Sequence, residues 1–167
     1  DRERRGLAIR RMYSTVAPWT TQNPIFMHLV SKNDEEVKNA IEQCAATGYE
    51  ALILSFGSHC QVEDTTATNI RRWKGLADYA HSKGIQIGSY TLFSSRRISD
   101  EDDVIDPKTG KPGGAFFGNA PCFGSRWGLR FRDNVKNFYQ QTGFDIWEND
   151  GPYPGDVCAS TSHPGHK

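Results

Sequence analysis

Apolar residues recur at helical spacing in three stretches of the chain, and a glycine follows each stretch. In "NDEEVKNAIEQCAATG" Val37, Ile41 and Cys44 or Ala45 fall on one face. Asn33 or Asp34 suits the N-cap, Glu35 and Glu36 complement the positive end of the helix dipole, and Gly48 supplies the stop. From Asn69 to Lys83, Ile70, Trp73, Leu76, Ala77 and Ala80 lie three or four apart before Gly84. "RWGLRFRDNVKNFYQQTG" (126–143) predicts a third helix. After these glycines come short apolar runs: "YEALILSFG" (49–57), "IQIGSYTLF" (85–93) and "FDIWEND" (144–150). Nearly continuous runs predict strands covered on both faces, as in a parallel sheet. An earlier run, "RRMYSTVAPW" (10–19), is rich in β-branched and aromatic residues and halts near Pro18; it predicts a first strand, before a loop at "TTQNP".

The connections between these elements are unequal. Helix-to-strand links are little more than the glycine. Strand-to-helix links are long and polar, above all the stretch from Ser94 to Ser125. Strand–helix alternation places the chain in the α/β class, and the asymmetry predicts a (β/α)8 TIM-barrel type with its site at the C-terminal strand ends. A doubly wound sheet competes, but the first strand-to-helix loop lacks GxGxxG. A full barrel needs about 250 residues, so some four βα units make roughly half of one. Residues 1–167 are expected to form a single domain, the N-terminal half of a barrel. A missing C-terminal half or a second copy in a homodimer would close it, since open edge strands are a liability.

Composition narrows the function. Twenty basic and twenty acidic residues cancel, so no net field favours nucleic acid or an anionic membrane. No apolar stretch approaches the roughly 18 residues of a membrane span. The chain begins on Asp1 rather than Met, as expected of a processed or excised piece. Cys44, Cys60, Cys122 and Cys158 form no CxxC pair and leave the redox compartment open. The aromatics, 11% of the chain, suit both a core and stacking on sugar rings.

Alternation along the last strand places Phe144, Ile146, Glu148 and Asp150 on one side, with Asp145 and Trp147 on the other. Phe144 and Ile146 are expected to fill the barrel interior, Glu148 and Asp150 to stand at its mouth, and Asp145 to face the helices. Carboxylates in such a cleft suit nucleophilic or general-base work on a glycosidic bond, although strand-end acids also cap helices or pair with arginine. Trp19, following the first expected strand, suits stacking under a sugar or anchoring a loop. His59 and Arg96 follow the next two strands and suit substrate contacts. Arg96 and Arg97 equally suit pairing with the acids at 100–103, which are expected to form a solvated loop. Tyr153, Asp156 and His163 follow Asp150 and suit the wall of a sugar subsite, although Asp156 and the histidines equally suit organising the Pro/Gly-rich loop by hydrogen bonds. Cys158, His163 and His166 could ligate zinc, but C-x4-H-x2-H is not a standard spacing, and no fourth ligand is evident beyond Asp156 or Cys122. Neither metal nor cofactor is therefore expected.

"TGFDIWENDG" resembles the fourth-strand motif of the α-galactosidases (melibiases) of glycoside hydrolase families 27 and 36, G-[VF]-D-x-[LI]-K-x-D-G. "ATGYEALILSFG" resembles their second strand, and "ADYAHSKGIQIGSY" their "ADYVHSKGLKLGIY". The resemblance spans about residues 40–151. The whole chain also resembles bacterial α-galactosidase-like proteins with a "YPGDVCAS-HPGH" loop. It implies a retaining glycosidase with Asp150 as nucleophile, Glu148 as a supporting carboxylate, an oligosaccharide or polysaccharide substrate, and a periplasmic or secreted setting. The pattern also departs from the family. Its sugar-gripping aspartates fall on Ser55 and Phe56, its lysine falls on Glu148, and its acid/base belongs to a sixth strand beyond Lys167. A chitinase-like hydrolase and a non-catalytic carbohydrate-binding half-barrel are the alternatives.

Overall fold

The computed structural model describes residues 1–21, 23–94, 96–113, 120–150 and 156–166. Helix α1 (Arg2–Val16) leads into a short 3-10 turn (Pro18–Thr21). Then follow β1 (Phe26–Leu29), α2 (Asp34–Thr47), β2 (Ala51–Leu54), α3 (Ala67–Ser82), β3 (Gln86–Leu92), α4 (Arg126–Thr142) and β4 (Ile146–Asp150). The strands form one parallel sheet in the order β1-β2-β3-β4, with each helix from α2 onward carrying the chain from one strand to the next. This is the α/β architecture of four successive barrel units.

The strand expected at 10–19 is not one. Those residues lie largely in α1, where Asp1 caps the start by accepting from the Glu3 amide at 3.0 Å. The hydroxyls of Ser14 and Thr15 donate back to the carbonyls of Arg10 and Arg11 at 2.8 and 2.9 Å, a local helical pairing that β-branching alone does not reveal. The helix buries none of its residues. The first strand is instead "FMHL", beyond Pro24.

The other elements follow their local chemistry. Asn33 accepts from the Glu36 amide at 3.0 Å, satisfying one orphan amide of α2, and the Glu36 carboxylate accepts from Lys32 N at 2.6 Å, tying down the chain just before the cap. Gly48 and Gly143 end α2 and α4 at φ of 84° and 78°, the left-handed conformation that glycine adopts without strain. The main core lies between the sheet and the helices. Leu52, Leu54, Ile87 and Phe93 pack there with Ile41, Trp73, Phe131 and Phe138. Tyr139 on α4 reaches through this layer. Its hydroxyl donates to the Ile146 carbonyl at 2.7 Å and lies 2.8 Å from Ser89 Oγ, bolting α4 to β3 and β4. Burial pushes its pKa well above the ordinary tyrosine value.

Two further expectations are corrected. Phe144 does not fill the barrel interior. It packs edge-on against Trp73, Phe138 and Tyr139 on the helix side, because β4 starts only at Ile146 and strict alternation does not reach back to 144. The acids at 100–103 are not simply a solvated loop. Asp103 is fully buried and accepts from Ile98 N at 3.0 Å. Asp102 accepts from Trp127 N at 2.9 Å in the first turn of α4. Asp100 pairs with Arg97. Asp145 faces the helices as expected: one oxygen accepts from Ile87 N at 2.9 Å and lies 2.8 Å from His81 Nε2 on α3.

Candidate functional site

Neighbouring strands lie about 4.8 Å apart, so the outer strands of a flat four-stranded sheet would be about 14 Å from one another. Here His28 Nε2 on β1 stands 3.0 Å from Glu148 Oε2 on β4. The sheet is therefore curled, and its concave face carries these two side chains. Gly88 makes the curl feasible on β3: an added β-carbon would stand 2.7 Å from the Ile146 carbonyl oxygen, 2.8 Å from Ile146 Cβ and 3.3 Å from Ile53 Cγ1. One absent methyl group lets β3 and β4 pinch together below Glu148.

Above that pinch stand the carboxylates. Register pairs Tyr90 with Glu148 and Leu92 with Asp150, so both acids belong to the C-terminal ends of the strands. The Tyr90 hydroxyl donates to Asp150 Oδ2 at 2.7 Å and holds the carboxylate in place. Glu148 Oε2 is shielded from solvent and accepts no hydrogen bond among the described residues; His28 lies close enough for an ion pair but off the hydrogen-bonding line. A buried carboxylate oxygen without a hydrogen bond is costly, and the neighbouring His28 ring offsets part of that cost. Phe56, 63% exposed, meets Tyr90 edge-on at 5.8 Å. With Ser55, Leu92 and Arg96 they line a cleft at the ends of β2 and β3.

The other candidates fall elsewhere. Trp19 precedes β1 and joins Phe26, Gln86 and Ile146 around a hollow at the N-terminal strand ends, opposite the carboxylates. It cannot stack on a sugar held at Asp150. His59 is engaged through both ring nitrogens: Nδ1 lies 3.0 Å from Ser31 Oγ and Nε2 lies 3.0 Å from Asp34 Oδ1. This serine–histidine–aspartate chain has the members of a hydrolase triad but not its exposure, since Ser31 is fully buried. Asp34 is also gripped by Arg72, whose Nε lies 2.9 Å from each carboxylate oxygen. That hydrogen bond, and a second from His59, hold the Asp34 pKa below the ordinary value against the opposing effect of burial. Arg96 pairs with Glu63 at 2.9 Å and lies 4.5 Å above the Trp127 ring, so it supports the cleft wall. Tyr153 lies outside the described residues.

His163 is 5% exposed and lies in a cluster with Cys122, Cys158 and His166. Asp156 borders the same region, beside Cys158 and Phe93. The loop that reads as a sugar-site wall is thus partly an internal clasp. His28 and Tyr90 are the site residues that sequence reasoning misses. A histidine inside the apolar "FMHL" is the available signal, concealed by placing the first strand at 10–19. Tyr90 reads only as a strand aromatic until the register sets it beside Asp150.

No protein-family model matches the sequence, and no curated protein matches it. Solved structures do match. A candidate α-amylase of Salmonella typhimurium aligns with a TM-score of 0.53 at 11% identity, covering 83% of this chain and 27% of that one. An uncharacterised Listeria monocytogenes protein, crystallised with α-D-glucose, β-D-glucose, magnesium and calcium, gives 0.51 at 12% identity, covering 75% and 16%. A candidate α-N-acetylgalactosaminidase of Bacillus halodurans gives 0.49 at 15% identity, covering 76% and 40%. This chain therefore spans less than half the length of each. The likeness shows the fold, a (β/α)8 barrel architecture of which the described residues supply four strands and their helices. At such identities the likeness extends to the fold and not to the reaction.

Proposed function

We propose that this chain is the carboxylate-bearing half of a retaining glycoside hydrolase barrel acting on an oligosaccharide or polysaccharide. The observation that carries the reading is the pair Glu148 and Asp150 on the concave side of β4, with Tyr90 fixing Asp150 and His28 standing 3.0 Å from Glu148. Asp150 would attack the anomeric carbon and form a glycosyl-enzyme. Glu148 would accept a hydroxyl of the same sugar and help exclude water. The two acids are two residues apart on one strand, so they serve one side of the sugar; a general acid must approach the leaving oxygen from another element. The resemblance to families 27 and 36 assigns that acid to a sixth strand, with the remaining barrel strands supplied by further chain or a second copy. An α-galactose-like sugar is the finer reading, tempered by Ser55, Phe56 and Glu148 where the family keeps two aspartates and a lysine.

The test is a panel of aryl glycosides with the full protein that contains this chain. Asp150→Asn is expected to abolish turnover of the accepted glycoside and to prevent labelling by the matching 2-fluoro glycoside, with an unchanged circular dichroism spectrum. A fully active Asp150→Asn protein sinks the assignment. The exposed Phe56 beside Tyr90 favours one second reading, a sugar-binding platform without catalysis. Calorimetric binding of an oligosaccharide with no hydrolysis at high protein concentration supports that reading instead.

A further inference from the structure

Outside the concave site, four soft ligands converge. The Sγ atoms of Cys122 and Cys158 and one ring nitrogen each of His163 and His166 all lie within 4.8 Å of one another. Cys122 Sγ is 3.1 Å from His166 Nε2, and Cys158 Sγ is 3.5 Å from His163 Nδ1. Around one tetrahedral zinc ion, with Zn–S near 2.3 Å and Zn–N near 2.05 Å, a sulfur–nitrogen edge is about 3.6 Å. The cluster needs only small side-chain adjustments to reach that geometry.

The outer contacts set the histidines correctly for a metal. His166 Nδ1 lies 2.8 Å from the Ser160 carbonyl, and His163 Nε2 lies 2.9 Å from the Glu101 carbonyl. A carbonyl accepts only, so each of those nitrogens carries the proton. The opposite nitrogen of each ring then presents a lone pair to the cysteines, the tautomer that ligation requires. The sulfurs are prepared in a matching way. The Ile105 amide donates to Cys158 Sγ at 3.4 Å, and backbone groups of Gly124 and Ser125 hydrogen-bond Cys122. Two glycines let the loops close. The Gly165 amide donates to the Gly124 carbonyl at 2.8 Å, and a β-carbon on Gly124 would stand 2.6 Å from His166 Cδ2.

We infer that Cys122, Cys158, His163 and His166 form a closed, four-ligand structural zinc site. Two thiolates and two imidazoles in a tetrahedral set select zinc over the oxygen-seeking divalent cations. Cys122 and His163 are buried, and no coordination position is left for a reacting water. The ion would staple the loop before α4 to the loop after β4, alongside the strand that bears Asp150. This inference stands apart from the glycosidase reading and survives its failure.

The chain is purified under reducing conditions without chelator, and its metals are measured by mass spectrometry. The expected result is one zinc per chain, retained in Cys60→Ala and lost in Cys158→Ser and in His163→Gln. Exchange for cobalt(II) is expected to give the visible bands of a tetrahedral ion and a thiolate-to-cobalt charge-transfer band. Should the variants misfold, the metal content and cobalt spectrum of the unaltered chain still decide. A folded chain without bound zinc, or one in which Cys122 and Cys158 form a disulfide, overturns the site.

Discussion

Asp34 illustrates how one side chain can belong to several structures at once. It lies in the first turn of α2, accepts from Arg72 on α3, and meets His59 beyond β2. Its lowered pKa has a consequence with a definite sign. Near and below pH 4 the unfolded chain takes up a proton on this group that the folded chain resists. The stabilisation is present above the ordinary aspartate pKa and is lost as pH falls through the depressed folded value. With the side chain 35% exposed, solvent screening keeps the effect modest. Asp34→Asn is therefore expected to lower the thermal midpoint at pH 6, and the gap from the unaltered chain to narrow below about pH 4. A gap constant from pH 3 to pH 6 would show that the group does not titrate with folding. His59 is held by the same network, which explains why a position suited to substrate became a support.

At the scale of elements, α4 shows what secures a helix next to the site. Ser125 is fully buried, and its Oγ accepts from the Gly128 amide at 3.0 Å. Ser125→Ala would strand that buried donor and is expected to cost about 1–2 kcal/mol in urea unfolding. A loss indistinguishable from zero would mean that water replaces the hydroxyl. Elements of this kind are legible in the sequence because their signals are local: a cap, a 3.6-residue apolar period, a terminal glycine. From α2 onward the helices and strands follow those signals closely. The first strand was not legible, since four residues, "FMHL", carry too little pattern to compete with the longer aromatic run before them. The site divides in the same way. Glu148 and Asp150 are visible as a strand alternation. Their partners His28 and Tyr90 come from other strands, and only curl and register bring them near. The Cys–His cluster was half visible: Cys158, His163 and His166 share a loop, whereas Cys122 joins from the far side of α4.

Across the whole molecule, the described chain has two outer strands, β1 and β4, at the margins of its sheet. Apolar groups remain exposed along the same margins, among them Phe26 and Trp147, as does the stripe Ile9, Met12, Tyr13 and Val16 on α1. Such surfaces suit continuation of the barrel by further strands. The four units already curve enough for His28 and Glu148 to meet.

The Tyr139 bolt gives the molecule an optical indicator of its own integrity. The sequence holds six tyrosines, and a phenolate absorbs where a phenol does not. Behind the sheet, Tyr139 keeps its proton well above the pH at which an ordinary tyrosine releases it, near 10. The unfolded chain surrenders that proton and the folded chain retains it, so rising alkalinity favours unfolding through this residue. An ultraviolet titration is expected to show a late, cooperative increment that coincides with loss of circular dichroism and disappears in Tyr139→Phe. An early, gradual ionisation of Tyr139 would mean that the bolt opens without the fold.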